Sequence, residues 1–86
     1  MNNMENNKGY IICVKTISLG ECYLGHYDGV VSKLHSAIIY HDDIYVKSDL
    51  DRIIKKYKNT ENSFFYNPKN LSIKKIEINI VEFEDE

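Results

Sequence analysis

The segment S-D-L-D-R-I-I-K-K-Y-K, from Ser48 to Lys58, constrains the fold most. Leu50, Ile53, Ile54 and Tyr57 recur at i, i+3, i+4 and i+7, so they form one stripe on a 3.6-residue period. Ser48 stands where a hydroxyl would cap the first turn. Asp49 and Asp51 precede Lys55, Lys56 and Lys58, the order that complements the helix dipole. Asn59 then tolerates a left-handed stop. These signals predict a helix over 48–58. About three turns are not stable alone in water, so the stripe must dock on something, and the rest of the chain reads as strand and turn.

Residues 1–9 contain four Asn and no apolar period, and they read as a flexible lead. Tyr10–Ser18 is rich in β-branched residues and Glu21–Tyr27 follows the turn Leu19-Gly20, which predicts a hairpin. In that register Cys13 lies opposite His26. Asp28-Gly29 is a turn signal, Val30–Ser36 reads as a short helical turn, and Ala37–Tyr40 as a third strand. Ile44–Val46 reads as its continuation or its partner across His41-Asp42-Asp43. Thr60–Asn70 is a loop carrying Phe64, Phe65 and Tyr66. Leu71–Phe83 alternates Ile76, Ile78 and Ile80 with Glu77 and Asn79, the pattern of a half-buried strand. The expectation is one α+β domain over 10–83. It has an antiparallel sheet of about four strands, one helix on one face, and an acidic end at 84–86.

Eighty-six residues make a single domain with a thin core. Hydrophobic residues are 43% and charged residues 28%, as in ordinary folded proteins. No apolar run approaches the ~20 residues of a membrane span, and the N-terminus lacks signal-peptide order. The expected location is the cytoplasm, where Cys13 and Cys22 stay reduced. The net charge of −2 is unevenly spread: −2 over 1–46, +5 over 47–75 and −5 over 76–86. The basic block includes Arg52, Lys55, Lys56, Lys58, Lys74 and Lys75. One reading is a solvated, dipole-complementing face, the other a phosphate-tracking patch. The single Arg and a pI near 5.9 weigh against nucleic acid.

Chemistry is sparse. Cys22-x3-His26 with Cys13 is the only metal-ligand-like grouping, and zinc needs four tetrahedral ligands. Positions 22 and 26 of one strand lie ~13 Å apart, so a zinc-stabilised domain is an alternative and no cofactor is expected. Cys13 opposite His26 is likewise the only thiol–base pair, and so small a sheet offers little concavity for a substrate. The chain is therefore read as no enzyme.

The order Y-I-I-C-V-K-T, E-C-Y-L-G, K-L-H-S-A-I-I-Y, a capped helix and the strand I-K-K-I-E-I-N-I-V-E resembles small orphan proteins of phages and mobile elements of low-GC bacteria. Anti-CRISPR proteins are among them. The preference for Lys over Arg, with many Ile and Asn, fits such an origin. The resemblance implies a protein that inhibits host defence by occupying a surface of a nuclease complex. It implies no active-site residue. The functional expectation is a small non-enzymatic inhibitor or modulator of a bacterial defence or nucleic-acid-handling complex, monomeric or homodimeric. The binding residues are either the acids Glu77, Glu82, Glu84, Asp85 and Glu86, standing in for phosphates, or the aromatics Phe64, Phe65 and Tyr66. The alternative is a nucleic-acid-binding module that uses the basic block.

Overall fold

A computed structural model describes residues 8–59 and 66–78. The elements are β1 (Lys8–Thr16), β2 (Gly20–Leu24), β3 (Val30–Val31), α1 (Asp43–Lys56) and β4 (Leu71–Glu77), with a tight reverse turn at His26–Gly29 and a single 3-10 turn at Leu34–Ser36. The strands form one antiparallel sheet in the order β3-β2-β1-β4. The helix packs on the β1–β4 part of it. The expected α+β architecture is present. The helix confers its α part, with its stripe covering the apolar residues of β1 and β4.

The helix is longer at its start than the 48–58 segment. It begins at Asp43, and the Ile44 N–H donates to the Asp42 carboxylate at 2.8 Å, so Asp42 and not Ser48 is the N-cap. Ile44-Tyr45-Val46 has β-strand propensity, but Val46 extends the stripe one turn back from Leu50 and is fully buried. Tertiary packing thus overrides local preference. Asp43 opens the first turn, Lys55 and Lys56 close the last, and the Tyr57 N–H donates to the Ile53 carbonyl at 3.1 Å.

The β1–β2 register also differs from the expected one. The pairs are Cys13↔Tyr23, Val14↔Cys22, Lys15↔Glu21 and Thr16↔Gly20, around a three-residue turn at 17–19. Gly20 takes the left-handed backbone that such a turn requires (φ 75°). The Thr16 hydroxyl clasps the turn, accepting from the Leu19 N–H at 3.0 Å and donating to the Gly20 carbonyl at 2.9 Å. This register assigns the faces. Ile12, Val14, Cys22, Leu24 and Leu71 join Val46 and Ile53 in the core under the helix. Ile11 and Cys13 lie on the other face and cluster with Ala37, Tyr23 and Ile76.

Three smaller readings change. β1 starts at Lys8, inside the segment read as a lead, because Lys8 and Gly9 pair with Glu77 and Ile76. Val30–Val31 is a strand paired with Leu24 and Tyr23, and the helical turn expected over Val30–Ser36 is confined to Leu34–Ser36. The expected strand Ala37–Tyr40 is reduced to a single bridge, Tyr10↔Tyr40, which takes up the β1 edge beyond the end of β2. Residues 78–83 of the last expected strand fall mostly outside the described residues, as do 84–86.

Deleting buried volume at the helix–sheet seam should be costly and deleting exposed volume should not. Ile53→Ala should lose about 2–5 kcal/mol of stability in urea denaturation. Ile44→Ala, at a position 73% exposed, should change it by less than about 0.5 kcal/mol.

Candidate interaction site

The β2–β3 connection, residues 25–29, carries the least expected local structure. The Gly25 N–H donates to the Gly29 carbonyl at 2.7 Å, and the Gly29 N–H to the His26 carbonyl at 3.1 Å, closing a five-residue loop. A side chain at Gly25 would meet Val31 at 2.8 Å, so the close approach of the two strands requires glycine there. Tyr27 (φ 59°) and Asp28 (φ 60°) are consecutive left-handed residues. That conformation costs about 1–2 kcal/mol for each such residue, and a bulky residue such as Tyr is seldom found in it. It places the Tyr27 side chain fully in solvent, with a relative exposure of 101%.

The strain is held by the residue that follows. The Asp28 carboxylate accepts from the Arg52 guanidinium at 2.8 and 3.4 Å, from Lys56 Nζ at 3.1 Å and from the Tyr57 hydroxyl at 2.9 Å. Its backbone carbonyl accepts from the Tyr66 hydroxyl. Arg52 Nε also donates to Asp49 at 2.6 Å, and Asp49 accepts from the Tyr40 hydroxyl. Helix spacing explains the convergence, because Asp49, Arg52 and Lys56 are i, i+3 and i+7 and share one side of α1. Tyr45 lies on the same stripe one turn before Asp49 and is 71% exposed.

The electrostatics follow from these contacts. The Arg52 guanidinium holds the Asp28 carboxyl far below the usual carboxylate range; burial opposes this, and Tyr57 and Lys56 reinforce it. At Asp49 burial pushes the carboxyl up, but the bonds from Arg52 and Tyr40 outweigh it and leave it low. Burial, with the Asp49 carboxylate, pushes the Tyr40 phenol up. Asp28 and Asp49 are therefore permanent anions at neutral pH.

The sequence-derived candidates are dispersed by this arrangement. Tyr66 is no surface anchor. It is 6% exposed, its ring packs tilted on that of Tyr57 with centroids 4.5 Å apart, and its hydroxyl donates to the Asp28 carbonyl. Phe64 and Phe65 lie outside the described residues, as do Glu82, Glu84, Asp85 and Glu86. Glu77 is exposed at the end of β4. In the basic block Arg52 and Lys56 are committed to Asp28, Lys55 pairs with Asp51 at 3.0 Å, and Lys74 pairs with Glu21 at 3.8 Å. Lys58 is exposed at the helix end. Lys75 stands opposite Tyr10 on the helix face of β4, so it points away from Lys74. The block is not one phosphate-facing surface.

The thiol grouping is also taken apart. Cys22 lies under the helix and Cys13 on the other face, while His26 is in the loop beyond β2. Cys13 is opposite Tyr23, not His26. Among the described residues no group of three or more His, Cys, Asp or Glu side chains is placed to hold a metal ion. Burial, and then the Glu21 carboxylate, push the Cys13 thiol up to about 11. The left-handed pair at 27–28 was not legible in the sequence, where Tyr-Asp-Gly reads only as a turn. The Asp28 partners lie 24 to 29 residues away in the chain, or 38 for the Tyr66 bond to its carbonyl.

Two outcomes are expected. Asp28 and Asp49 have lowered folded-state pKa values. Their contribution is therefore complete above the unfolded carboxylate pKa of about 3.9 and is lost as pH falls below it. Asp28→Asn should be less stable than wild type at pH 7, and the gap should narrow toward pH 2 in urea titrations at each pH. Cys13, being buried and protonated, should react with iodoacetamide at neutral pH far more slowly than a free thiol, and at the free-thiol rate only after unfolding.

Comparison of the chain with known protein families, with characterised proteins and with solved structures finds no match.

Proposed function

We propose that this chain is a small non-enzymatic binding protein that docks on a partner protein through the Tyr27 turn. The observation that carries this reading is the combination of strain and exposure at one residue. A tyrosine held left-handed, fully solvated and anchored through its neighbour to the helix contributes nothing evident to the core. Backbone strain of this kind persists where the surroundings over-determine it, and it concentrates at binding and switch sites. Tyrosine is enriched among the residues that dominate interface energies, and a rigid one loses little entropy on binding. Tyr45, on the helix side that also bears Arg52 and Lys56, supplies a second exposed aromatic.

The resemblance to small phage and mobile-element proteins makes a bacterial defence or nucleic-acid-handling complex the partner class, inhibited by occupation of its surface. The buried, protonated Cys13 supports a non-enzymatic role. The pairing of Arg52, Lys55, Lys56 and Lys74 with acids favours a protein partner over a nucleic acid one.

Tyr27→Gly separates a binding role from a folding role, because glycine adopts the left-handed backbone without strain. Its stability should equal that of wild type or exceed it by up to about 1 kcal/mol. A partner recovered from a low-GC bacterial lysate with the wild-type chain should bind the variant at least about 2 kcal/mol more weakly, by calorimetry. Equal affinity would contradict the reading. So would binding that survives Tyr27→Gly and instead falls with Glu77→Gln and with salt.

A further inference from the structure

A cleft of about 300 Å³ lies at the other end of β2 from the Tyr27 turn, lined by Cys13, Lys15, Glu21, Lys69, Leu71 and Ser72. Cys13 and Ser72 are directly paired across β1 and β4, and Lys15 is paired with Glu21 across β1 and β2, so this is the sheet face turned away from the helix. We infer that the cleft is a binding site for a single phosphate group, held between Lys15 and Lys69.

The charge balance is the first support. Lys15 and Lys69 make no ion pair among the described residues; Glu21, the cross-strand neighbour of Lys15, is bridged instead to Lys74 at 3.8 Å. Three cations around one carboxylate leave two positive charges beside a cleft whose wall also carries the Ser72 hydroxyl. A phosphate monoester carries nearly two negative charges at neutral pH, and lysine binds it as a point charge.

The backbone that carries the two lysines is the second support. The Lys15 N–H donates to the Asn70 carbonyl at 2.8 Å, tying β1 to the 67–70 turn. That turn is fixed from within, since the Lys69 N–H donates to the Asn67 side chain at 2.9 Å and the Asn70 N–H to the Asn67 carbonyl at 2.8 Å. The lysine stems thus leave from anchored positions, which lowers the ordering cost of binding.

The size of the cleft defines the ligand class. Its volume is at the lower bound for small-molecule sites. The ion-paired bases of α1, Lys47, Arg52, Lys55 and Lys56, belong to the helix on the opposite side of the sheet and are spent on their own acids. The expected ligand is a terminal phosphate on a small molecule, not an internal phosphodiester.

Amide NMR on the full chain tests this, with inorganic phosphate as probe against chloride at matched ionic strength. Phosphate should shift the amides of Lys15 and of residues 69–72 saturably at millimolar concentration. K15Q/K69Q should weaken that binding by at least about tenfold with an unchanged thermal midpoint. Equal shifts from chloride, or unchanged phosphate binding in K15Q/K69Q, would overturn the inference. A single-stranded oligonucleotide without terminal phosphates should leave these amides unmoved. If it shifts them as strongly per phosphate, the assignment to a terminal phosphate is wrong.

Discussion

The Asp28 carboxylate is the group on which the arrangement of the chain depends. It receives donors from Arg52, Lys56 and Tyr57 on the helix side, and its own carbonyl receives Tyr66 from the chain entering β4. One residue of a five-residue loop thereby fixes the loop to the helix and to the last strand. An anion with this many partnered donors is far from the ordinary exposed ion pair, whose contribution is small. Its side chain is only 14% exposed, whereas the Lys55–Asp51 pair is more than half exposed on both sides. The first is a structural clasp and the second a solvated helix pair.

The clasp sits beside a costly backbone conformation. The tight turn that joins β2 to β3 puts both its central residues, Tyr27 and Asp28, in the left-handed region, with the Tyr27 ring in water. Gly25 and Gly29 flank the pair and close the loop, so glycine was tolerated nearby but does not occupy the strained positions. A tyrosine there exchanges backbone ease for a presented aromatic. The helix side next to the clasp is electrically quiet, because its bases are spent on Asp28, Asp49 and Asp51. An exposed aromatic on a neutralised surface suits protein contact better than phosphate tracking.

How much of this was legible can be argued residue by residue. The stripe Leu50, Ile53, Ile54 and Tyr57 specified a docked helix, and the β-branched run at 10–16 specified the strand that became the centre of the sheet. The helix start was misplaced because Ile44-Tyr45-Val46 favours strand locally and only the buried Val46 overrules it. The hairpin register differs from the Leu19-Gly20 turn that the sequence suggests, because Gly20 belongs to β2. It is the left-handed first residue of β2, paired with Thr16 after the turn at 17–19, and that shift sets Cys13 opposite Tyr23 instead of His26. The Asp28 clasp joins residues 24 to 38 positions apart, and no local pattern encodes it. Tyr66 was legible as an unusual aromatic but not as a buried donor.

The central claim is that the Tyr27 turn is a single rigid conformer held by Asp28. Backbone order parameters with φ-dependent couplings for Tyr27 and Asp28, in wild type and in Asp28→Asn, test it most directly. The account predicts wild-type values of about 0.85, equal to those of the helix, with left-handed couplings, and a fall below about 0.6 in Asp28→Asn. Low order with averaged couplings in the wild type, or unchanged order in Asp28→Asn, would contradict it.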